Sequence, residues 1–147
     1  MAGRIYSVGY EGRTLDELVE RLRNEHVTTL VDVRLTPISR KPGFSRRRLA
    51  EALEAAGMDY VNEKDLGNPR DNRAAFHRND VEAGRTRMKS ILTQPVGAAA
   101  VDRVVALASK HRIALLCVER DAEHCHRSVV SALALERNPA IKVVPIT

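Results

Sequence analysis

The chain has 147 residues, of which 44% are hydrophobic and 29% are charged, and this balance excludes wholesale disorder. Its length predicts one ordinary domain over residues 1–147. No apolar run approaches the roughly 18–20 residues that cross a bilayer, and the first residues lead into a strand-like pattern without a signal peptide. We therefore expect a cytoplasmic protein with no membrane partner.

Two cysteines, Cys117 and Cys125, are too few for the disulfide framework of a small secreted domain. In a reducing cytosol they are expected as free thiols, a redox pair or metal ligands. The net charge is +5 and comes mostly from arginine, whose planar guanidinium suits phosphate and carboxylate. The same charge equally fits an ordinary solvated surface.

The first elements form a strand–helix–strand unit. Residues 4–8 predict a strand, and a capping box begins at Thr14 and closes at Glu17. Leucine and valine then recur at helical spacing, and residues 29–33 predict the next strand. A unit of this kind favours a right-handed parallel crossover.

Residues 34–48 predict a long loop that is rich in proline and arginine. Ser45 is the expected N-cap of the following helix, which should stop at Gly57. Three arginines in the first turn of that helix oppose its dipole, which favours an acidic partner for them. These arginines are Arg46, Arg47 and Arg48.

The middle of the chain predicts a strand over residues 58–61 and a polar, irregular loop over residues 62–80. A loop of that length in a small domain is usually functional or mobile. Helices are predicted over residues 81–92 and 97–110, and a final strand over residues 141–146.

Residues 113–118 form a continuous apolar run, which predicts a central strand buried on both faces. The chain then turns polar and enters a helix, so that Cys125, His126 and Arg127 should lie at a helix N-terminus. Unpaired N–H groups and the helix dipole favour anions there and lower the pKa of a thiol.

The alternation of strands and helices predicts a three-layer α/β fold, with a mostly parallel sheet of about five strands and helices on both faces. Ligands of such sheets bind at the carboxyl ends of the strands. Acid/base groups, a thiol and several arginines follow the predicted strands, so we expect a site at that edge.

We predict four catalytic residues. Cys125 is interpreted as a nucleophile or redox thiol, with His126, Glu119 and Asp32 as acid/base groups. Each also has a purely structural interpretation. Cys125 could equally be an inert thiol and His126 a polar residue of the first helical turn, while Glu119 and Asp32 could each hold an arginine. Cys117 lies inside the apolar run and is expected to be a buried structural thiol.

The residues predicted to bind an anionic substrate follow the strands in the same way. They are Tyr10, Arg34, Ser39, Arg40, Arg70 and Arg127.

Metal binding is the weaker interpretation of the cysteines. Cys117, Glu119, Cys125 and His126 supply enough donors for zinc, but their spacing matches neither a CxxC knuckle nor HExxH. We therefore predict no metal and no cofactor. Dinucleotide, P-loop and serine-hydrolase motifs are absent from the sequence.

Several motifs resemble those of the DUF488 family, a domain of unknown function. They are Ser7-Val8-Gly9-Tyr10, Asp32-Val33-Arg34 with Pro37 and Ser39-Arg40, Tyr60 with Leu66-Gly67 and Arg70, and Cys117-x-Glu119 with Cys125-His126-Arg127. Asn68-Pro69 stands where many members carry a second glycine. The resemblance implies an α/β fold that gathers these motifs in one pocket, and it implies no particular reaction.

The leading hypothesis is an enzyme that acts on a phosphorylated or otherwise anionic substrate, such as a nucleotide or nucleic acid. The main alternative is a non-catalytic nucleic-acid-binding module that uses the basic segment of residues 40–48. The residues expected to contact nucleic acid are Lys41, Arg46, Arg47 and Arg48. A third hypothesis is a small metal or redox regulator built on Cys117, Cys125 and His126. The sequence does not determine an oligomeric state.

Overall fold

The computed structural model describes residues 3–77 and 80–146, without the side chain of Glu123. The strands are β1 (Arg4–Gly9), β2 (Thr29–Asp32), β3 (Asp59–Asn62), β4 (Arg112–Cys117) and β5 (Lys142–Pro145). The helices are α1 (Leu15–Asn24), α2 (Arg46–Ala55), α3 (Arg70–His77), α4 (Val81–Thr93), α5 (Pro95–Lys110) and α6 (Arg127–Arg137). Short 3-10 turns occupy Lys64–Leu66 and Ala122–His124.

The five strands form one parallel sheet in the order β3-β2-β4-β1-β5. Strand β4 is inserted between β1 and β2, so the apolar run of the sequence is the centre of the sheet, as predicted. Gly9 is in register with Cys117, and Asp32 with Leu116, so these three strands end at nearly the same level.

An apolar core lies on each face of the sheet. On one face, α1 and α2 bury Leu18, Leu22, Leu49 and Leu53 against the strands. On the other face, α4, α5 and α6 pack over a second cluster that includes Leu115. The predicted three-layer α/β architecture is confirmed.

Two predicted helix starts have different outcomes. At α1 the capping box is present, since the Glu17 N–H donates to Thr14 Oγ1 and the Thr14 N–H donates to Glu17 Oε1. At α2 Ser45 is the N-cap residue, but its hydroxyl does not cap the helix. That hydroxyl instead donates to the Ser39 carbonyl and accepts from the Ser39 N–H, which closes the loop before the helix.

The prediction of an irregular loop over residues 62–80 is wrong in part, because this segment contains a 3-10 turn and all of α3. Hydrophobic spacing could not reveal α3, since one of its two buried residues is polar. Asn72 is buried and donates to Asn68 Oδ1 and to the Gly84 carbonyl, and Phe76 is the apolar residue beside it. Arg78 and Asn79 of the predicted loop lie outside the described residues.

No single helix in the described part of the chain is long and apolar enough to cross a membrane. Helices α4 and α5 pass that test of length and composition only as a pair bent by 90°.

A buried ion pair fixes the chain where it leaves β2. Asp32 is fully buried and Arg34 is 3% exposed, and two N–H···O bonds of 2.8 and 2.6 Å join their side chains. Tyr60 on the neighbouring strand β3 donates to the same carboxylate. Burial and the Asp32 carboxylate raise the pKa of Tyr60 above its ordinary value, so its hydroxyl remains a donor.

Replacing Asp32 with asparagine should lower the free energy of unfolding by about 3–5 kcal/mol, because it leaves a buried guanidinium without its counter-charge. Urea denaturation monitored by circular dichroism measures the change. Glu51→Gln is the control, since it removes the exposed Arg47–Glu51 pair and should cost less than about 1 kcal/mol. Equal losses in both variants would contradict this account of Asp32.

Candidate functional site

The order of the strands creates a crevice between the carboxyl ends of β2 and β4. After β2 the chain leaves to α2 on one face of the sheet, whereas after β4 it leaves to α6 on the other face. Such a switch point is where parallel α/β sheets bind their ligands. The Val33 N–H donates to the Leu116 carbonyl and holds the two strand ends together at this crevice.

A pocket of about 500 Å³ opens at this point. It is lined by Arg34, Leu35, Thr36, Ile38, Asn68, Arg70, Arg73, Phe76, His77, Cys117, Val118, Glu119, His124, Cys125 and His126. The segments after β2 and β4 and helix α3 therefore meet around one cavity.

Two thiols and an imidazole lie together at this pocket, and we call Cys117, Cys125 and His126 the Cys–His cluster. The His126 Nδ1 atom is 3.6 Å from Cys125 Sγ and 3.9 Å from Cys117 Sγ. All three side chains are buried, and both thiols are free of disulfides. Their sulfur and nitrogen atoms all lie within 4.8 Å of one another, so the cluster could hold one metal ion.

The orientation of the His126 ring follows from its second nitrogen. His126 Nε2 is 2.9 Å from the Val33 carbonyl oxygen, which can only accept a hydrogen bond. Nε2 therefore carries a hydrogen in both protonation states of the ring. Nδ1 faces the sulfurs, where it accepts from a thiol when neutral or donates to a thiolate when protonated.

The three groups of the cluster perturb one another strongly. The Cys125 S–H and the His126 imidazole stabilise a Cys117 thiolate and lower the pKa of Cys117 well below that of an ordinary thiol, although burial opposes this. Burial and the neighbouring Cys117 thiolate raise the pKa of Cys125. Burial acts to lower the pKa of His126, but the Cys117 thiolate and the Val33 carbonyl outweigh it and raise that pKa.

A second polar pair stands beside the cluster. Glu119 Oε1 is 2.9 Å from His77 Nε2, and this contact joins the segment after β4 to helix α3. Glu119 Oε2 is buried and has no hydrogen-bond partner among the described residues. The pair has the composition of an acid/base couple, with one carboxylate oxygen left to interact with a ligand.

The cationic side of the pocket is built mainly by α3. Arg70, Arg73 and His77 are spaced i, i+3, i+7, so they share one face of the helix, and both arginines are exposed. The ion pairs of residues 3–77 and 80–146 leave these two guanidinium groups without a carboxylate partner. The third arginine of the pocket, Arg34, is already neutralised by Asp32.

The model of the family "Domain of unknown function DUF488" matches residues 14–134 of the chain. The chain belongs to the DUF488 family. No curated protein and no solved structure matches it significantly. The match to DUF488 includes every residue that lines the pocket.

The structure of this DUF488 protein places several of the predicted site residues outside the pocket lining. Arg127 is fully buried, donates to Ser7 Oγ and the Glu119 carbonyl, and does not line the pocket. Its side chain ties the start of α6 to β1, and its Nη2 atom is buried without a hydrogen-bond partner among the described residues. Substrate binding by Arg127 stays a prediction. Asp32 is likewise buried outside the lining, where it orients Arg34, and its catalytic role stays a prediction.

Three further predicted ligand contacts also lie outside the pocket lining. Tyr10 is buried and stacks on Phe44 with ring centroids 4.5 Å apart. Ser39 bonds to Ser45 within the loop, and Arg40 is exposed beyond the pocket.

The basic segment forms a separate surface. Arg46, Arg47 and Arg48 are exposed on the first turn of α2, and none of them lines the pocket at the sheet edge. Lys41 donates to the Tyr10 carbonyl at 3.3 Å and lies over the Phe44 ring.

The directions of the pKa shifts of the two thiols differ from the expectation, and the catalytic role of Cys125 stays a prediction. Cys125 was expected to carry the lowered pKa, but that thiol is Cys117, and the pKa of Cys125 is raised. Cys117 is buried as predicted, yet it lines the pocket and belongs to the same cluster as Cys125. A single sequence carries no signal for this outcome, because it depends on how closely Cys125, which lies between the 3-10 turn and α6, approaches Cys117 at the end of β4.

Sequence reasoning also missed Arg73, His77 and His124. His124 lines the pocket and lies 3.1 Å from Asp121. The i, i+3, i+7 spacing of Arg70, Arg73 and His77 was the available signal, but it is visible only once the segment is recognised as a helix.

In metal-free DUF488 protein, iodoacetamide should modify Cys117 before Cys125 and at a pH below the ordinary thiol pKa of about 8.5. The reason is that both thiols line the pocket, but the pKa of Cys117 is lowered whereas that of Cys125 is raised. Mass spectrometry of digests across a pH series identifies the modified residue. Cys125→Ser, which retains an O–H donor, should keep the early reaction, whereas Cys117→Ser should lose it. Prior modification of Cys125 in the wild type would overturn the assignment.

Proposed function

We propose that this DUF488 protein is an enzyme that acts on an anionic substrate in the pocket beside the Cys–His cluster. The observation that carries the proposal is the convergence on one cavity of an acid/base pair, two thiols and two arginines that have no ion-pair partner among the described residues. Cavities with a few convergent polar groups are the usual form of small-molecule sites.

The anion would be bound chiefly by Arg70 and Arg73. Their guanidinium groups are exposed on the wall of the pocket, and a phosphate or carboxylate could accept paired N–H bonds from either. Arg34 is buried in an ion pair with Asp32, so it forms a fixed part of the pocket lining and its charge is already compensated. The cluster supplies the reactive groups, and Glu119 with His77 would transfer protons.

Apolar side chains at the pocket indicate that the substrate has an apolar part. The large hydrophobic residues exposed in the described structure are Leu35, Ile38, Val96 and Val118, and three of these four line the pocket. Ile38 is 74% exposed. An aromatic or aliphatic group attached to the anion would cover these side chains, whereas a bare inorganic ion would leave them in water.

Nucleic-acid binding by the first turn of α2 is the second candidate function. That turn carries three exposed arginines and no acidic residue. Positive charges at a helix N-terminus interact unfavourably with the helix dipole, so the arrangement does not stabilise the helix. This surface has neither the thiols nor the acid/base pair of the pocket. A catalytic role is therefore better supported for the pocket.

Phenyl phosphate should bind more tightly than inorganic phosphate, and the double variant Arg70→Glu/Arg73→Glu should weaken its binding by about tenfold or more. Charge-assisted hydrogen bonds contribute about 1.5–3 kcal/mol each, less at exposed sites, and the reversal also repels the anion. Titration followed by ¹H–¹⁵N NMR of the full chain measures both effects. Substrate turnover can be sought by mass spectrometry of phosphorylated metabolites, with Cys117→Ser/Cys125→Ser as the inactive reference.

Arg46→Glu/Arg47→Glu is the matched control, because it makes the same change of charge on α2. It should leave phenyl phosphate binding unchanged but should abolish retention on a DNA column if the second candidate is correct. Equal weakening by both double variants would show that only net charge matters. Absence of phenyl phosphate binding by the wild type would refute the proposal.

A further inference from the structure

The two sulfur–nitrogen distances of the Cys–His cluster match the corresponding edges of a tetrahedral metal site. Zn–S bonds of about 2.3 Å and a Zn–N bond of about 2.05 Å at tetrahedral angles place sulfur and nitrogen about 3.6 Å apart. The two sulfur–nitrogen distances in the cluster are 3.6 and 3.9 Å. All three atoms lie within 4.8 Å of one another, so a shift of about 1 Å or less would bring the two sulfurs to the separation of about 3.8 Å that one tetrahedral zinc ion requires.

We propose that Cys117, Cys125 and His126 bind one zinc ion whose fourth coordination position opens on the pocket. Two thiolates and a neutral imidazole form the sulfur–nitrogen donor set that zinc prefers. The two negative charges would also neutralise the ion, so that a buried site carries no net charge. That balance matters because an uncompensated buried charge is strongly destabilising.

The hydrogen bond of His126 to the backbone is the kind that orients a metal-binding histidine. Ligating histidines commonly donate their other ring N–H to a carbonyl or carboxylate, which fixes the tautomer and the ring plane. Here His126 Nε2 donates to the Val33 carbonyl at 2.9 Å, and Val33 is itself tied to β4 through its N–H. Nδ1 is therefore directed at the sulfurs before any ion arrives.

The number of ligands indicates an open site. Within the described part of the chain the cluster has three members, and all three line the pocket. Glu119, the carboxylate of the pocket lining, does not belong to this cluster, and its Oε1 atom contacts His77. Structural zinc sites are closed by four protein ligands, whereas catalytic sites keep three and leave one position for water or substrate. The role of the ion in catalysis rests on the proposed function, but its binding does not.

The chief competing interpretation is a dithiol without metal, in which Cys117 and Cys125 form hydrogen bonds or a reversible disulfide. Both interpretations place the sulfurs close together. They differ in what occupies the space between the sulfurs and Nδ1, and direct metal titration distinguishes them.

Cobalt(II) chloride added to chelator-treated full-length protein under reducing conditions should produce a thiolate-to-cobalt charge-transfer band and the visible bands of a tetrahedral site. The bands should saturate at one ion per chain, and zinc chloride should abolish them. Cys117→Ser, Cys125→Ser and His126→Ala should each lose the tetrahedral spectrum. His124→Ala, which removes another histidine of the pocket, should keep it.

A measurement on the wild type alone guards against variants that fail to fold. One equivalent of zinc should protect both cysteines from iodoacetamide, as read by mass spectrometry. Alkylation that zinc does not slow, or a cobalt spectrum that survives loss of either cysteine, would overturn the proposal. Phenyl phosphate binding without metal binding would remove the zinc site and leave the proposed function intact.

Discussion

The hydrogen bond from His126 Nε2 to the Val33 carbonyl is the contact on which the site depends. It joins the segment that enters α6 to the residue that follows β2, and these two segments leave the sheet on opposite faces. With one nitrogen anchored to the backbone, the other must face Cys117 and Cys125. The fold creates the crevice, and this bond decides which atoms face it.

Burial separates the arginines at this edge into two kinds. Arg34 and Arg127 are buried, and Arg34 is paired with Asp32. Arg127 donates to Ser7 Oγ and the Glu119 carbonyl, while its Nη2 atom has no partner among the described residues. Arg70 and Arg73 are exposed on the pocket wall with their donors available to a ligand. The hydrogen bonds of the two buried guanidinium groups hold them in place at the edge of the site, and under the proposed function the two exposed groups bind the anion.

Much of the architecture could be predicted from periodicity, because the apolar run of residues 113–118 and the amphipathic spacing of α1 are local signals. Helix α3 could not, since its buried face contains Asn72, whose amide is satisfied by Asn68 and Gly84 from elsewhere in the chain. The pocket followed from the rule that strand ends converge. The roles of Arg127 and Tyr10 did not follow, because direction and burial of a side chain are set by tertiary contacts.

The two cysteines show why residue-by-residue inference fails at such a site. A thiol inside an apolar run is expected to be structural, and a thiol near a helix start is expected to be reactive. In the folded protein both are buried and share the same imidazole, so the state of each depends on the other. The proposed function therefore belongs to the cluster and not to either cysteine alone. Arg70, Arg73 and the apolar Ile38 line the same cavity as the cluster. Under the proposed function, such a cavity would select ligands that carry both a charged and an apolar group, which neither the basic composition nor the cysteines alone would imply.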